Sequence, residues 1–246
     1  MPRVEGQTAA ILLIGNEILS GKIDDANARY AIRELRALGV ELRRILTVPD
    51  EIDEIAEAVR DLSSRFDFVF TSGGVGPTHD DLTMEGVARA FETRIVRHPV
   101  LERLLRDHYG EALEQPNLRM ADVPEGAALV TADHASWPVT TCRNVYILPG
   151  VPEIFRRKFD AIKARFRGAP FYLRVAYLRL GEGVLAPLLD SVVAGWPAVR
   201  VGSYPRLDGS EYRVKVTIEG RDAAAVAAAF EGLLAQLPTG EIVRTE

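Results

Sequence analysis

Residues 8 to 14 read Thr8-Ala-Ala-Ile-Leu-Leu-Ile14, an apolar run that ends at Gly15. A run of this length without polar alternation is typical of a strand that is buried on both faces of a parallel sheet. Helices must cover both faces of such a sheet, so a helix is expected next. Apolar residues at helical spacing from Ala26 to Leu38 provide it, with Asp24 or Asp25 as the N-cap.

The same alternation continues along the chain. Val40 to Val48 predicts a second strand, residues 52–62 predict a second helix, and Phe66-Asp-Phe-Val-Phe70 predicts a third strand. This order specifies an α/β fold with an open, doubly wound, mostly parallel sheet, which binds ligands beyond the carboxyl ends of its strands. Residues 110–143 are less regular, and Asn144-Val-Tyr-Ile-Leu148 predicts a further strand.

The pattern changes after Gly168-Ala-Pro170. Residues 171–237 predict strand, helix, strand, strand and helix in that order, which is a small α+β layer. We therefore predict two domains, a doubly wound domain over residues 1–168 and a small α+β domain over residues 169–246. Acidic residues balance the basic ones in the second domain, so it is expected to serve packing, dimerisation or closure rather than RNA binding.

Composition narrows the function classes. The formal net charge of the chain is -5, which argues against a nucleic-acid partner. The start lacks an apolar signal region, and no apolar run approaches the ~20 residues of a membrane span, so we expect a soluble, cytoplasmic protein without a membrane partner. Cys142 is the single cysteine, which excludes an intrachain disulfide and fits a reduced compartment.

The third predicted strand leads into a loop that reads Thr71-Ser-Gly-Gly-Val-Gly-Pro-Thr-His-Asp-Asp-Leu-Thr83, called the glycine loop below. Glycines let the backbone approach a ligand and direct successive N–H groups at one point, which suits a phosphate or pyrophosphate. Asp80 and Asp81 would repel that anion unless a divalent cation lay between them, so the loop predicts phosphate plus metal. The alternative is a tight turn with acidic helix-capping residues and no ligand. The predicted ligand-binding residues of this loop are Ser72, Gly73, Gly74, Gly76, Pro77 and Thr78.

Four segments together resemble one family. In their order along the chain they are similar to the molybdopterin-binding (MoaB/MogA-like) domain, in the form found at the N-terminus of the competence/damage-inducible protein CinA. The resemblance covers about the first two-thirds of the chain. The segments are Gly15-Asn-Glu-Ile-Leu-Ser-Gly21 with Asn27, the glycine loop, Asn117 with Pro124-Glu-Gly126, and Leu148-Pro-Gly-Val-Pro-Glu153.

A closer resemblance begins at Ser136. Residues 136–152 are similar to the corresponding stretch of the molybdopterin-binding-like domain of eukaryotic FAD synthases, and Gly202-Ser-Tyr-Pro205 resembles the small domain that follows it. The Gly-Thr-Ala-Pro-Gly-type segment that CinA proteins carry before this strand is absent. The sequence also lacks the deamidase domain of full-length CinA and the adenylyl-transferring domain of FAD synthase, so neither activity is expected.

The resemblance implies a phosphate or pyrophosphate ligand at the carboxyl edge of the sheet. MogA-like relatives bind molybdopterin and adenylylate it with MgATP, whereas CinA-type and FAD-synthase-type domains are associated with metal-dependent hydrolysis of ADP-ribose or FAD. We expect a pyrophosphatase that releases AMP; molybdopterin binding or adenylylation, and a non-catalytic ligand-binding module, are the alternatives. The implied cofactors are Mg²⁺ or Co²⁺ with K⁺ as a further candidate, and the implied assembly is a homodimer or homotrimer.

The resemblance also assigns roles. Asp81 matches the aspartate that MogA-like proteins need, so it is the first candidate for holding a metal or activating water, with Asp80 either a second metal carboxylate or a solvated helix cap. Glu17 either completes this catalytic set or is a first-turn helix acid favoured by the helix dipole. Asn27 is either a ligand contact or a helix cap. The rigid turn that supplies Pro149, Gly150 and Pro152 is expected to form a second ligand wall.

Overall fold

The structure is a computed structural model that describes residues 6–130, 137–206 and 211–246. The chain divides into two compact units, Met1–Gly168 and Ala169–Glu246. Ser136, the first residue of the FAD-synthase-like segment, lies outside the described residues.

The first unit alternates strands and helices over most of its length, as the apolar periodicity predicts. Its elements in chain order are β1 (Thr8–Ile14), α1 (Asn16–Leu19), α2 (Asn27–Ala37), β2 (Glu41–Val48), α3 (Ile52–Arg65), β3 (Phe68–Ser72), α4 (Thr83–Ala90), β4 (Ile95–Arg97), α5 (Pro99–Tyr109), α6 (Gln115–Leu118), β5 (Asp122–Pro124), β6 (Ala128–Val130), β7 (Val139–Cys142), β8 (Val145–Ile147) and α7 (Pro152–Ile162).

The main sheet of this unit has six strands in the order β2-β1-β3-β8-β7-β6. The first four strands are parallel, while β7 pairs antiparallel with both β8 and β6. The predicted α/β fold with a mostly parallel sheet is therefore confirmed. The β6–β7 pair falls within the stretch that the sequence left irregular, and β4 pairs with β5 in a separate two-stranded sheet.

Alternate side chains of β1 pack on opposite faces of the sheet. Ala10, Leu12 and Ile14 belong to a core cluster with α3 and α4. Ala9, Ile11 and Leu13 belong to a second cluster with α2 and α7. Burial on both faces is the reason why this strand carries no polar alternation.

Three neighbouring parallel strands end at the same edge of the sheet. Gly15 follows β1, Gly73 follows β3, and Pro149 comes shortly after β8. The Gly15 N–H donates to Val48 O at 3.2 Å, and the Gly73 N–H donates to Leu148 O at 3.2 Å. These bonds continue the strand pairing into the loops and hold the loops side by side.

The second unit is a four-stranded antiparallel sheet whose helices pack in one hydrophobic cluster with the strands. The sheet order is β10-β11-β9-β12. Nowhere in the described residues is a helix both long and apolar enough to cross a membrane. The elements are β9 (Tyr172–Leu178), α8 (Glu182–Gly195), β10 (Arg200–Pro205), β11 (Val214–Gly220), α9 (Ala223–Leu234) and β12 (Ile242–Thr245).

Candidate functional site

A cavity of about 1170 Å³ opens at the carboxyl edge of the main sheet and is lined entirely by residues of the first unit. The structure brings most of the predicted site residues to it. Three predicted residues do not line the cavity: Asp80, Pro77 and Thr78. Those that do are Glu17, Asn27, Ser72, Gly73, Gly74, Gly76, Asp81, Pro149, Gly150 and Pro152.

The glycine loop has a backbone that only glycine accepts without strain. Gly73 has φ of +117° and Gly74 has φ of +61°, both in the region that disfavours side chains. A Cβ on Gly73 would also lie 2.0 Å from Ile14 O. Within the described part of the chain, the N–H groups of Gly74, Val75 and Gly76 have no protein acceptor. The loop therefore offers backbone donors to a ligand at the cavity.

Asn27 forms hydrogen bonds to two of the loops that line the cavity. Its Nδ2 donates to Ser72 Oγ at 2.9 Å and to Gly150 O at 2.7 Å. The residue is only 4% exposed, and its Oδ1 has no hydrogen-bond partner among the described residues. Asn27 is not the helix cap, because the Asp25 carboxylate accepts from the first N–H groups of α2. A buried acceptor without a partner is costly, and a donor on a ligand would satisfy it.

Asp81 is held by its own loop. Its Oδ2 accepts from the Thr78 N–H at 2.8 Å and from the Thr78 hydroxyl, and Arg119 Nη1 donates to Thr78 O at 3.0 Å. A Cβ on Gly76 would lie 2.7 Å from the same carboxylate oxygen, so glycine is needed for this approach. Oδ1 of Asp81 has no donor in the described residues, which leaves it available to a metal or a ligand.

Asp80 takes a different position from Asp81. Its side chain is 59% exposed and lies 3.9 Å from the Nδ1 of His79, whose side chain is 96% exposed. Hydrogen bonding from Thr78 holds the pKa of Asp80 below its usual value. Asp80 does not line the cavity.

Glu17 reaches the same cavity from α1. Its carboxylate folds back against the backbone of Gly15, since a Cβ on that glycine would lie 2.5 Å from Oε1. Glu17 is a first-turn acid of α1 and also lines the cavity. Its position is therefore compatible with both roles considered from the sequence, a helix-dipole acid and a member of the catalytic set. A catalytic role for it stays a prediction.

The carboxylates do not form a preformed metal cage. The described residues contain no group of three or more His, Cys, Asp or Glu side chains placed to hold a metal ion. Mg²⁺ is commonly bound by only one or two carboxylates, with substrate phosphates and water completing its shell. Asp81 beside unsatisfied backbone N–H groups fits that second kind of site.

Two cations of α7 were not predicted from the sequence. Arg157 and Lys158 both line the cavity, and Lys158 Nζ donates to Pro138 O at 2.8 Å and to Trp137 O at 3.3 Å. Burial, together with the charge of Arg157, lowers the pKa of Lys158 to about 8. A lysine on an amphipathic helix is normally solvated, so only the packing of α7 against residues 137–138 shows that this one is partly buried.

Comparison with known proteins assigns a family to each part of the chain. The family described as "Probable molybdopterin binding domain" matches residues 10–167. The chain belongs to this family. The family described as "FAD synthase, middle domain" matches residues 170–246, so both resemblances inferred from the sequence are confirmed.

Individual relatives share about one third of their aligned residues with this chain. A protein of Archaeoglobus fulgidus is 37% identical over 228 residues, which are 91% of this chain and 96% of that protein. A "Probable FAD synthase" of Caenorhabditis briggsae is 33% identical; the match covers 99% of this chain but only 52% of that protein. The chain thus spans about half the length of this FAD synthase. Among solved structures, one similar to this chain is described as the crystal structure of the protein CinA with unknown function from Thermoplasma acidophilum. Its sequence is 32% identical and its TM-score is 0.60, and the match covers 65% of this chain and 98% of that one.

Proposed function

We propose that the cavity binds a nucleotide in which a pyrophosphate links AMP to a second group, and that the protein hydrolyses this linkage with a divalent metal and releases AMP. One observation carries the proposal. The unsatisfied N–H groups of the glycine loop and the free Oδ1 of Asp81 lie on the same cavity. Backbone donors match phosphate oxygens, and a carboxylate beside them requires a cation between the two negative charges.

The candidate residues of the cavity have distinct roles in the proposed hydrolysis. The glycine loop orients the pyrophosphate, and Asp81 would hold Mg²⁺ or Co²⁺. A bound divalent metal supplies charge neutralisation on the phosphate oxygens. Glu17 is the candidate general base: as water attacks phosphorus, its carboxylate accepts the water proton, and the bond from phosphorus to the bridging oxygen breaks. Asn27 Oδ1 accepts a hydrogen bond from a hydroxyl of the ligand.

Molybdopterin binding or adenylylation is the second candidate. The family description that matches residues 10–167 favours it, and the same loop and carboxylate suit a phosphate on a pterin. The FAD-synthase-type second unit favours the nucleotide instead. A non-catalytic ligand-binding module is the third candidate, and it predicts binding without AMP release. K⁺ as an additional cation and assembly as a homodimer or homotrimer stay predictions.

One assay separates these functions. Purified protein is incubated with ADP-ribose, with FAD, or with molybdopterin plus ATP, in the presence of Mg²⁺ or Co²⁺ with and without K⁺, and AMP and adenylylated products are followed. We expect metal-dependent AMP release that falls by about 100-fold or more in Asp81→Asn, since charge-stabilising and acid–base groups contribute on this scale.

Two further variants sharpen the result. Asp61→Asn removes the same charge from the exposed surface of α3 and should leave the rate unchanged. Asp80→Asn tests whether one carboxylate or two hold the metal; because Asp80 does not line the cavity, we expect a smaller loss than in Asp81→Asn. An absence of AMP release from every substrate, or equal loss in Asp61→Asn and Asp81→Asn, contradicts the proposal.

A further inference from the structure

The part of the glycine loop that carries Asp81 is exposed. Residues 77–80 belong to no helix or strand, and the side chains of residues 78–80 lie at the surface. Within the described residues, a single hydrogen bond connects residues 75–81 to a distant part of the chain, and it runs from Arg119 Nη1 to Thr78 O at 3.0 Å. That bond is therefore the polar restraint that acts from outside on the segment containing Asp81.

Arg119 itself is held in place by its neighbours. Leu118 and Ala121 are buried, and both belong to a hydrophobic cluster that includes side chains of α5. The guanidinium extends from this cluster to the loop, and its Nη2 also lies 3.8 Å from Glu85 Oε1 on α4. Arg119 thus joins the glycine loop and the first turn of α4 to a separate part of the first unit.

Thr78 connects Arg119 with the carboxylate of Asp81. Thr78 O accepts from Arg119 and also from the Asp81 N–H at 3.3 Å. The N–H and the hydroxyl of the same threonine donate to Asp81 Oδ2. Because the two oxygens belong to one rigid carboxylate, a displacement of Oδ2 also changes the direction of Oδ1, which faces no donor in the described residues.

The ion pair of Arg119 contributes little to stability. The side chain of Arg119 is 38% exposed and that of Glu85 is 35% exposed. An ion pair with this exposure is screened by solvent. A larger consequence is expected in the position of Asp81, because misplacing a functional group by about 1 Å can cost about 100-fold in rate.

We propose that Arg119 is a positioning residue that acts through Thr78 and keeps Asp81 directed at the divalent metal. The inference rests on the proposed function, because the metal is the one that Asp81 would hold there. Arg119 lines a small pocket of about 20 Å³ beside Asp81 but does not line the large cavity, so it acts on the metal only through the loop. Groups that orient metal ligands typically account for about 10–100-fold in metal affinity or activity.

Metal binding tests this inference without requiring hydrolysis. Co²⁺ is titrated into the full chain in the presence of AMP, and the heat of binding is measured for the wild type, Arg119→Met and Arg119→Lys. We expect Arg119→Met to bind Co²⁺ about tenfold more weakly. Arg119→Lys keeps a charged donor for Thr78 O and should bind within about threefold of the wild type. The melting temperature of each variant should stay within about 3 °C of the wild type, because the lost ion pair is partly exposed.

Excess metal separates positioning from a general loss of structure. At low Co²⁺ concentration, Arg119→Met should release AMP about tenfold more slowly than the wild type. At saturating Co²⁺ its rate should return to within about threefold of the wild type, with the KM for the nucleotide unchanged. Asp81→Asn should not recover, because the metal-binding carboxylate itself is lost.

Arg94→Met is the matched control. Arg94 pairs with Glu125 at 2.6 Å on the surface, and neither residue lines the large cavity. The variant removes the same charge and should bind Co²⁺ like the wild type. Unchanged Co²⁺ affinity in Arg119→Met, or an equal loss in Arg94→Met, overturns the inference, and metal-dependent AMP release would still stand in that case.

The converse result is also distinguishable. If the wild type releases no AMP but its Co²⁺ affinity falls in Arg119→Met and returns in Arg119→Lys, the proposed hydrolysis fails and the positioning role stands. A wild type that binds no Co²⁺ overturns both.

Discussion

The backbone conformation of the glycine loop requires glycine at position 73. A Cβ at this position would lie 2.0 Å from Ile14 O, and φ is +117°. Gly21 also has positive φ, +68°, but no atom lies within 4 Å of its Cβ position. We predict that Gly73→Ala lowers the free energy of unfolding by at least about 3 kcal/mol, because strain and overpacking add. Gly21→Ala should cost only about 1 kcal/mol. Urea denaturation of both variants measures the difference; equal costs would contradict the assigned backbone clash.

The sequence could predict where the site lies and most of the residues that line it, but not every side chain that faces it. The alternation of strands and helices places the loops after β1, β3 and β8 at one edge, and all three do line the cavity. Within the glycine loop, Asp80 and Asp81 are adjacent residues of the same type, and only the structure shows that Asp81 lines the cavity whereas Asp80 does not. Lys158 could not be predicted from the sequence either, because it contacts residues 137–138, which lie about twenty positions earlier in the chain.

At the scale of elements, α2 and α7 are joined by a charged network beside the cavity. The Tyr30 hydroxyl donates to Asp160 Oδ1 at 2.6 Å. Lys163 Nζ lies 2.6 Å from both Asp160 Oδ1 and Glu34 Oε2, and these contacts raise its pKa. Because α2 supplies Asn27 and α7 supplies Lys158, this network fixes the spacing of two cavity walls.

The network gives a prediction about pH. Burial and the bond to Asp160 raise the pKa of Tyr30 from 10.0 to about 12, so the folded state prefers the neutral phenol. The stability that this preference adds is complete below pH 10 and is lost as pH rises towards 12. Tyr30→Phe should cost about 1 kcal/mol at neutral pH, and its deficit relative to the wild type should shrink over that window. Urea unfolding across this range tests it, with Tyr172→Phe on the second unit as the control; a constant deficit would show that Tyr30 is not titrating in this way.

The elements that the sequence missed lack the pattern that identifies the others. β1 is apolar throughout because both of its faces are buried. β7 places Thr140 and Thr141 in the interior, which weakens its apolar pattern, and β12 is a short edge strand with mostly exposed side chains. Both strands pair through backbone hydrogen bonds that leave little trace in the choice of side chains.

At the scale of the molecule, the two units differ in what they contribute to the cavity. Every described residue that lines it precedes residue 169, and each unit has a hydrophobic core of its own. A compact unit with its own core is expected to fold by itself. We therefore predict that a fragment of residues 1–168 folds and keeps metal-dependent AMP release within about threefold of the full chain. Circular dichroism checks the folding and the AMP assay checks the site.

A fragment that is folded but inactive, beside an active full chain, would show that the second unit takes part in the site. In the reciprocal fragment, residues 169–246, none of the described residues lines the cavity, so it should release no AMP. Adding it to the first fragment discriminates further, because recovery of activity on mixing requires the two units to associate. If the first fragment is fully active, the FAD-synthase-type unit serves a purpose other than AMP release.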